Sequence, residues 1–200
     1  HMDVICGEEF YCHLDLKVIG KHNALNALAA VAAAWKLGIP GEAVSEGLKT
    51  FGGADRRMQF KGTINGADVY DDYAHHPDEV KACARSIKEL YSDKKVTVLF
   101  QPHLFSRTAD FYKEFAESLS LFDKVILVDI YPAREKPIPG VTSKLIFDQL
   151  AEGMEKSMCS RGDVIDIIKK EKQDIEVLVS LGAGDIENDI AQIKQILIER

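Results

Sequence analysis

Three short and nearly continuous apolar runs lie in the second half of the chain, Val96–Phe100, Val125–Val128 and Val177–Leu181. A strand that is apolar at successive positions is buried on both faces, as strands are in a parallel sheet covered by helices. Amphipathic helical segments alternate with these runs at the spacing of βαβ units. We therefore predict an α/β fold, a Rossmann-like doubly wound and mostly parallel sheet with helices on both faces.

This sheet is expected to open with a hairpin. Asn65-Gly66 separates the strand-like stretches Phe60–Ile64 and Ala67–Tyr73, which is a strong signal for a two-residue turn. The remaining patterns predict an earlier hairpin or pair of edge strands over residues 3–19, a short strand at 157–159, and helices over 24–37, 41–51, 78–91, 108–121, 143–150, 163–171 and 186–198.

A domain boundary is indicated at Gly52-Gly53, where two adjacent glycines separate a helical pattern from a charged stretch. We expect residues 1–53 to be the tail of a preceding domain, with residues 1–2 a cloning remnant. Residues 54–200 are then expected to form the α/β domain.

Composition argues against several functional classes. The net charge of −7 and pI near 5.4 are unlike the basic face of a nucleic-acid module. No apolar run approaches the roughly 18 residues of a membrane span. The four cysteines are scattered, without a C-x-x-C pair or a standard zinc spacing. We expect a cytoplasmic protein with reduced thiols and no metal site of its own, which binds neither nucleic acid nor membrane.

Polar residues are concentrated in two stretches that follow predicted strands, Asp71–Pro77 and Phe100–Arg107. Ligands bind at the carboxyl ends of strands in open α/β sheets, so we interpret the two stretches as walls of one active site. One of the paired aspartates could instead simply cap the next helix. His75 is expected in the cleft and His76 in a structural hydrogen bond.

Several charged or polar residues are placed where a helix alone does not require them. Arg107 lies near a predicted helix start, where a cation opposes the helix dipole, which favours an anionic ligand. Arg56-Arg57 beside the glycines fits surface charge and phosphate contact equally well. Asn23 fits a helix cap, whereas Asn26 one turn later favours a ligand. Gly182–Asp185 is a weak signal for an anion-binding loop.

Together these motifs resemble the Mur ligase family. The stretches that carry the resemblance are Gly20–Ala27, Phe51–Arg57, Asp71–Pro77 and Phe100–His103, followed by Pro137–Gly140 and Gly182–Ile186. The resemblance covers the chain from Asp3 onward. It implies that residues 1–53 end a central ATPase domain and that residues 54–200 are the whole C-terminal domain.

The resemblance implies ATP-dependent amide bond formation in peptidoglycan precursor synthesis. UDP-N-acetylmuramate would take the γ-phosphoryl group of ATP to give an acyl phosphate, which the amine of L-alanine attacks. The sequence contains no G-x-x-x-x-G-K-[ST] motif. The P-loop lysine and the main Mg²⁺ ligands are therefore expected in the part of the central domain that precedes Asp3, and this fragment alone is expected to be inactive.

Residue roles follow from the same resemblance. The ATP-binding residues would be His22, Asn23, Asn26, Arg57 and Asp72, with Arg57 also catalytic through the γ-phosphate and Asp72 on the ribose. The amino-acid site would be lined by Tyr73, His75, His103 and Arg107. One departure is Ala74, which stands where many relatives carry glycine.

Two alternatives stay open at this point. A murein tripeptide ligase of the same family shares the Asp71–Pro77 stretch, although Gln101–Thr108 resembles the alanine-adding enzyme better. A non-catalytic nucleotide-binding or interaction module is the second alternative. A true Rossmann module should carry G-x-G-x-x-G after its first strand, and that motif is not found.

Overall fold

The computed structural model describes residues 1–199 and divides the chain into two compact units, one comprising His1–Asp55 and one beginning at Arg56. The Gly52-Gly53 pair lies just before this division. No helix within residues 1–199 has the length and apolar character needed to cross a membrane.

The first unit is a hairpin packed with two helices. Its elements are β1 (Met2–Cys6), β2 (Glu9–Leu14), α1 (Lys21–Lys36) and α2 (Gly41–Thr50). The two strands pair antiparallel, which confirms the predicted hairpin. Leu14 and Val31 are buried at the centre of a small apolar cluster formed by the hairpin and both helices.

The start of α1 differs from the sequence prediction. The helix begins at Lys21, and Gly20 is its N-cap with a positive φ of 95°. Asn23 is therefore not the cap, and its side-chain amide donates to the carbonyl oxygen of Ile19 at 2.7 Å. A glycine accepts this left-handed geometry without strain, so the helix can start three residues before the predicted Ala24.

The second unit contains the doubly wound sheet. Its elements are β3 (Gln59–Ile64), β4 (Ala67–Asp72), α3 (Pro77–Leu90), β5 (Val96–Phe100), α4 (Phe105–Leu119), β6 (Lys124–Val128), α5 (Lys144–Phe147), β7 (Glu155–Cys159), α6 (Val164–Glu171), β8 (Val177–Leu181) and α7 (Ile190–Ile198). The strand order is β3-β4-β8-β5-β6-β7, with β3 antiparallel to β4 and the other neighbouring pairs parallel. The predicted fold class and opening hairpin are confirmed.

Helices cover both faces of this sheet. Leu99 and Leu178 belong to a buried cluster with residues of α6 and α7. Phe100, the next residue along β5, points the other way and packs its ring on Phe115 of α4, with centroids 5.4 Å apart. Successive strand residues thus face different helix layers, which explains why these strands are apolar at nearly every position.

The helix that follows β8 lies on the opposite face of the sheet from the helices that follow its neighbouring strands, β4 and β5. After β4 and β5 it enters α3 and α4, which pack on each other, whereas after β8 it leads into α7, which packs on α6. Connections that diverge to opposite faces of a parallel sheet leave a crevice at the carboxyl ends of the strands. The crevice here lies beside the end of β8, between β4 and β5.

Three further predicted helices differ from their predictions by more than one residue at an end. The helix predicted at 143–150 is shortened to Lys144–Phe147. The Ser143 hydroxyl does not cap it, because it donates to the carbonyl oxygen of Val128 at 2.6 Å. The last helix begins with a 3-10 turn, Ile186–Asp189. The helix predicted at 108–121 begins earlier, at Phe105.

The early start of that helix has a long-range cause. Glu135, 29 residues after Ser106, accepts the main-chain amide of Ser106 at 2.9 Å and its hydroxyl at 2.5 Å. These bonds lower the pKa of Glu135. A carboxylate at a helix N-terminus satisfies free amides and suits the helix dipole. Arg107 therefore lies within the first turn of α4.

Candidate active site

The ends of β4 and β5 bring together the four side chains expected to form an amino-acid site. The ring centroids of Tyr73 and His75 are 5.2 Å apart, and those of His75 and His103 are 5.9 Å apart, both edge to face. Arg107 Nη1 lies 3.4 Å from His103 Nδ1 and donates to the carbonyl oxygen of His75 at 3.4 Å. Three aromatic rings and one guanidinium thus form one continuous surface.

This row of rings extends to a residue that the sequence reasoning missed. The ring of Tyr131, which follows β6, stacks on His103 at 5.7 Å and an angle of 15°. Main-chain bonds hold the two loops together, since Leu104 donates to Tyr131 at 3.0 Å and Tyr131 donates to Pro102 at 2.8 Å. Tyr131 could have been found by applying to β6 the carboxyl-end rule used for β4 and β5.

His76 has a structural position. Its ring accepts the main-chain amide of Asp78 at 3.4 Å as the N-cap of α3, and its own amide donates to Glu79 at 3.1 Å. This reciprocal pair of bonds is a capping box. The structural hydrogen bond expected of His76 is therefore present, while the placement of His75 in the cleft stays a prediction.

Neither aspartate at the end of β4 caps α3. The carboxylate of Asp72 accepts the main-chain amides of Met58 and Ala74, each at 2.7 Å. Burial raises the pKa of Asp72, and these two bonds act against that rise. Asp72 therefore ties the segment before β3 to the loop after β4, and ribose binding by Asp72 stays a prediction.

The structure separates the two adjacent arginines, and Arg56 is the one tied into the fold. Its Nε lies 3.2 Å from Asp71 and 2.7 Å from Glu187, and its Nη2 donates to the carbonyl oxygen of Gly182 at 2.6 Å. The guanidinium also lies 4.9 Å from the ring centre of Tyr73. Arg56 thereby joins the ends of β4 and β8 and supports Tyr73.

Arg57 is held far more weakly. Its side chain is 50% exposed, against 16% for Arg56, and among residues 1–199 it forms one ion pair, with Glu79 at 3.4 Å. Burial acts against ionisation of Glu79, but the amides of His75 and His76 and the guanidinium of Arg57 outweigh it and lower the pKa of Glu79. Arg57 is thus an exposed cation beside Glu79 of α3 that can change partners at low cost.

The glycine loop after β8 is fixed by Gln101 at the end of β5. The Gln101 amide donates to Asp185 at 2.9 Å and accepts from the main-chain amide of Ile186 at 3.2 Å. A Cβ on Gly184 would lie 2.4 Å from the Gln101 side chain and 2.6 Å from the ring of Tyr131. The second glycine of the loop is therefore required for the close packing behind His103.

The other expected nucleotide residues belong to the first unit. Asn23 and Asn26 lie in the first turns of α1, next to His22. Asn26 is exposed and 3.5 Å from the carbonyl oxygen of the Asn23 side chain. Their expected approach to a nucleotide stays a prediction. Within residues 1–199, no group of three or more His, Cys, Asp or Glu side chains is placed to hold a metal ion.

A family model described as "Mur ligase, glutamate ligase domain" matches residues 56–186. The chain belongs to the Mur ligase family. The match includes the ends of β4, β5, β6 and β8, and therefore every residue of the second unit up to Ile186.

Individual Mur ligases extend this similarity over the first unit. The UDP-N-acetylmuramate–L-alanine ligase of Phocaeicola vulgatus is 54% identical over 175 residues, covering 88% of this chain and 38% of that protein. The crystal structure of the UDP-N-acetylmuramate–alanine ligase of Thermotoga maritima has a TM-score of 0.71 at 31% identity, over 95% of this chain and 40% of that one.

A murein peptide ligase of Psychrobacter arcticus has a TM-score of 0.66 at 24% identity, over 94% of this chain and 39% of that one, which shows the shared fold alone. This Mur ligase chain therefore spans about two fifths of the length of each of these relatives.

Proposed function

We propose that this chain is the C-terminal part of an ATP-dependent ligase that joins L-alanine to UDP-N-acetylmuramate through an acyl phosphate. The observation that carries the proposal is the 54% identity to a UDP-N-acetylmuramate–L-alanine ligase across both polar strand ends. The murein peptide ligase alternative is supported by the fold alone, at 24% identity.

The amino-acid site is assigned to the surface formed by Tyr73, His75, His103 and Arg107. The planar guanidinium of Arg107 suits a bidentate contact with the carboxylate of L-alanine. An α-amino acid carries its amine on the carbon next to this carboxylate, so the amine would lie among the neighbouring rings. Burial, followed by the charge of Arg107, lowers the pKa of His103, which keeps that ring neutral beside the guanidinium.

The nucleotide contacts are assigned residue by residue from the family resemblance. Arg57 would contact the γ-phosphate and Asp72 the ribose, while His22, Asn23 and Asn26 would approach the nucleotide from residues 1–53, the end of the central ATPase domain. We assign the P-loop lysine and the main Mg²⁺ ligands to the preceding part of the enzyme. The enzyme is expected in the cytoplasm, acting on small molecules and not on nucleic acid or membrane.

The function is tested by amide bond formation with the full-length enzyme. We expect ATP-dependent ligation of L-alanine to UDP-N-acetylmuramate, measured by product mass and ADP release, and no incorporation of the murein tripeptide. The 200-residue chain alone is expected to show neither ligation nor ATP turnover. Tripeptide incorporation in preference to alanine would contradict the proposal.

The role of Arg107 makes a separate prediction. Replacing Arg107 by lysine keeps the charge but removes the fork, so the KM for L-alanine should rise about tenfold or more, with the KM for ATP nearly unchanged. Steady-state kinetics with each substrate varied in turn measures both values. Lys113, an exposed cation later in α4, provides a matched control as Lys113→Arg. An unchanged alanine KM in Arg107→Lys would show that Arg107 only supports the loop.

A further inference from the structure

The hydrogen bonds of His75 define which of its ring nitrogens carries a proton. Nδ1 lies 2.9 Å from the main-chain carbonyl oxygen of Tyr73. A carbonyl oxygen can only accept a hydrogen bond, so Nδ1 must be the donor and carry the proton. In the neutral ring, Nε2 then holds an unshared electron pair.

The carboxylate of Glu79 lies next to the ring of His75. Oε2 of Glu79 lies 3.4 Å from Nδ1 of His75 and accepts the main-chain amide of His75 at 3.0 Å. The lowered pKa of Glu79 keeps that carboxyl group ionised. A fixed negative charge beside Nδ1 holds the tautomer and stabilises the imidazolium that forms when Nε2 takes up a proton.

The second histidine of the site has the opposite tautomer. Nδ1 of His103 lies 3.4 Å from Nη1 of Arg107, and a guanidinium can only donate. Nδ1 of His103 is therefore the acceptor, and the proton of the neutral ring is on Nε2. His103 is thus suited to donate a hydrogen bond, whereas His75 is suited to accept a proton.

We propose that His75 is the general base of the ligation step and that its Nε2 removes a proton from the α-ammonium group of the incoming amino acid. The inference rests on the proposed function, because it requires an amino acid bound through Arg107. The guanidinium of Arg107 touches the carbonyl oxygen of His75 at 3.4 Å, so a carboxylate held there brings the adjacent ammonium group to the same residue. A base must lie within hydrogen-bond reach of the proton that it takes.

Each amide formed requires the transfer of two protons from the nitrogen. One N–H bond of the ammonium group breaks and its proton bonds to His75 Nε2, which leaves a neutral amine. The amine electron pair forms a C–N bond with the acyl-phosphate carbon, the C–O bond to phosphorus breaks, and phosphate leaves with that electron pair. The second amine proton goes to the departing phosphate, and the imidazolium returns its proton to solvent.

The test separates proton removal from the earlier chemistry by changing the nucleophile. In the full-length enzyme, His75→Asn keeps an amide N–H near the position of Nδ1 but has no basic nitrogen. Hydroxylamine is uncharged at neutral pH, attacks acyl phosphates and does not need this base. We expect His75→Asn to lower kcat for L-alanine ligation about 10²–10⁴-fold, while hydroxamate formation with hydroxylamine stays near the wild-type rate.

The adjacent histidine provides a matched control. His76→Asn makes the same substitution at the N-cap of α3, where asparagine is a favourable cap, so both reactions should proceed at wild-type rates. Equal losses of alanine ligation and hydroxamate formation in His75→Asn would overturn the proposal, as would unchanged alanine ligation. A wild-type enzyme unable to ligate L-alanine would instead contradict the proposed function.

Discussion

Replacing Arg57 by alanine in the full-length enzyme is expected to lower kcat about 10³-fold or more and to change the KM for ATP little. A guanidinium that reaches the transferred phosphoryl group stabilises charge that develops in the transition state, and arginines in this role contribute about 10³–10⁵ in kcat. A contact that strengthens in the transition state affects kcat and not ground-state binding.

The position of Arg57 makes this result separable from a loss of folding. The side chain is 50% exposed and its ion pair with Glu79 spans 3.4 Å. Exposed pairs of this kind contribute roughly 0–1 kcal/mol, so the free energy of unfolding of Arg57→Ala should stay close to that of the wild type. Urea denaturation of the 200-residue chain measures it, alongside steady-state kinetics of the full-length enzyme.

Asp72→Ala is the comparison that tests the assignment of Arg57. Loss of a ribose contact should raise the KM for ATP, and loss of the Met58 and Ala74 bonds should lower stability as well. Arg57→Lys should recover part of the lost rate, because it restores the charge. The catalytic assignment is wrong if Arg57→Ala shows the same kinetic profile as Asp72→Ala.

The fold could be predicted because its main signals are local. The apolar runs 96–100, 125–128 and 177–181 are buried at every position, and each lies within a strand. The run at 125–128 gains only Lys124 at its start. Asn65 and Gly66 adopt the positive φ values of 50° and 88° that a two-residue hairpin turn requires. Composition and spacing were sufficient here because burial and turn geometry act on neighbouring residues.

The differences arise where distant residues decide the local structure. The helix after β5 begins early because of Glu135, and Ser143 fails as a cap because its hydroxyl bonds to Val128. Helix propensity is judged over a short stretch of sequence, and Glu135 and Val128 lie outside the stretches that they affect. Tyr131 was missed for the same reason, since its ring stacks on His103 from a different loop, 28 residues further along the chain.

The sequence predicted which residues lie at the candidate site better than it predicted what each residue does there. The carboxyl-end rule placed His75, His103 and Arg107 at one edge of a sheet, where the structure brings them together. It could not tell the role of Arg56 from that of Arg57, because the two residues are identical in type and adjacent in sequence. Their difference comes from the partners of Arg56 at the ends of β4 and β8, which only the folded chain assembles.

Arg56→Ala is expected to have the largest effect on stability, because Arg56 is the counterion of a buried carboxylate. The side chain of Asp71 is 1% exposed, and its Oδ1 has no hydrogen-bond partner within the described residues. Removing one member of a buried ion pair leaves an uncompensated charge, at a cost of about 3–5 kcal/mol. Urea denaturation of the 200-residue chain at neutral pH should show this loss, with Arg57→Ala as the matched control.

The pH dependence of this loss identifies its cause. Burial already raises the pKa of Asp71 above its usual value, and Arg56 acts against that rise, so Arg56→Ala should raise the pKa further. The folded variant then keeps a proton that the unfolded chain releases above about pH 4, which makes its stability fall as pH rises through this window. The stability difference between wild type and Arg56→Ala should therefore shrink when urea unfolding is repeated near pH 4.5. A difference that stayed constant or grew in acid would mean that lost packing by Arg56, and not the charge of Asp71, destabilises the variant.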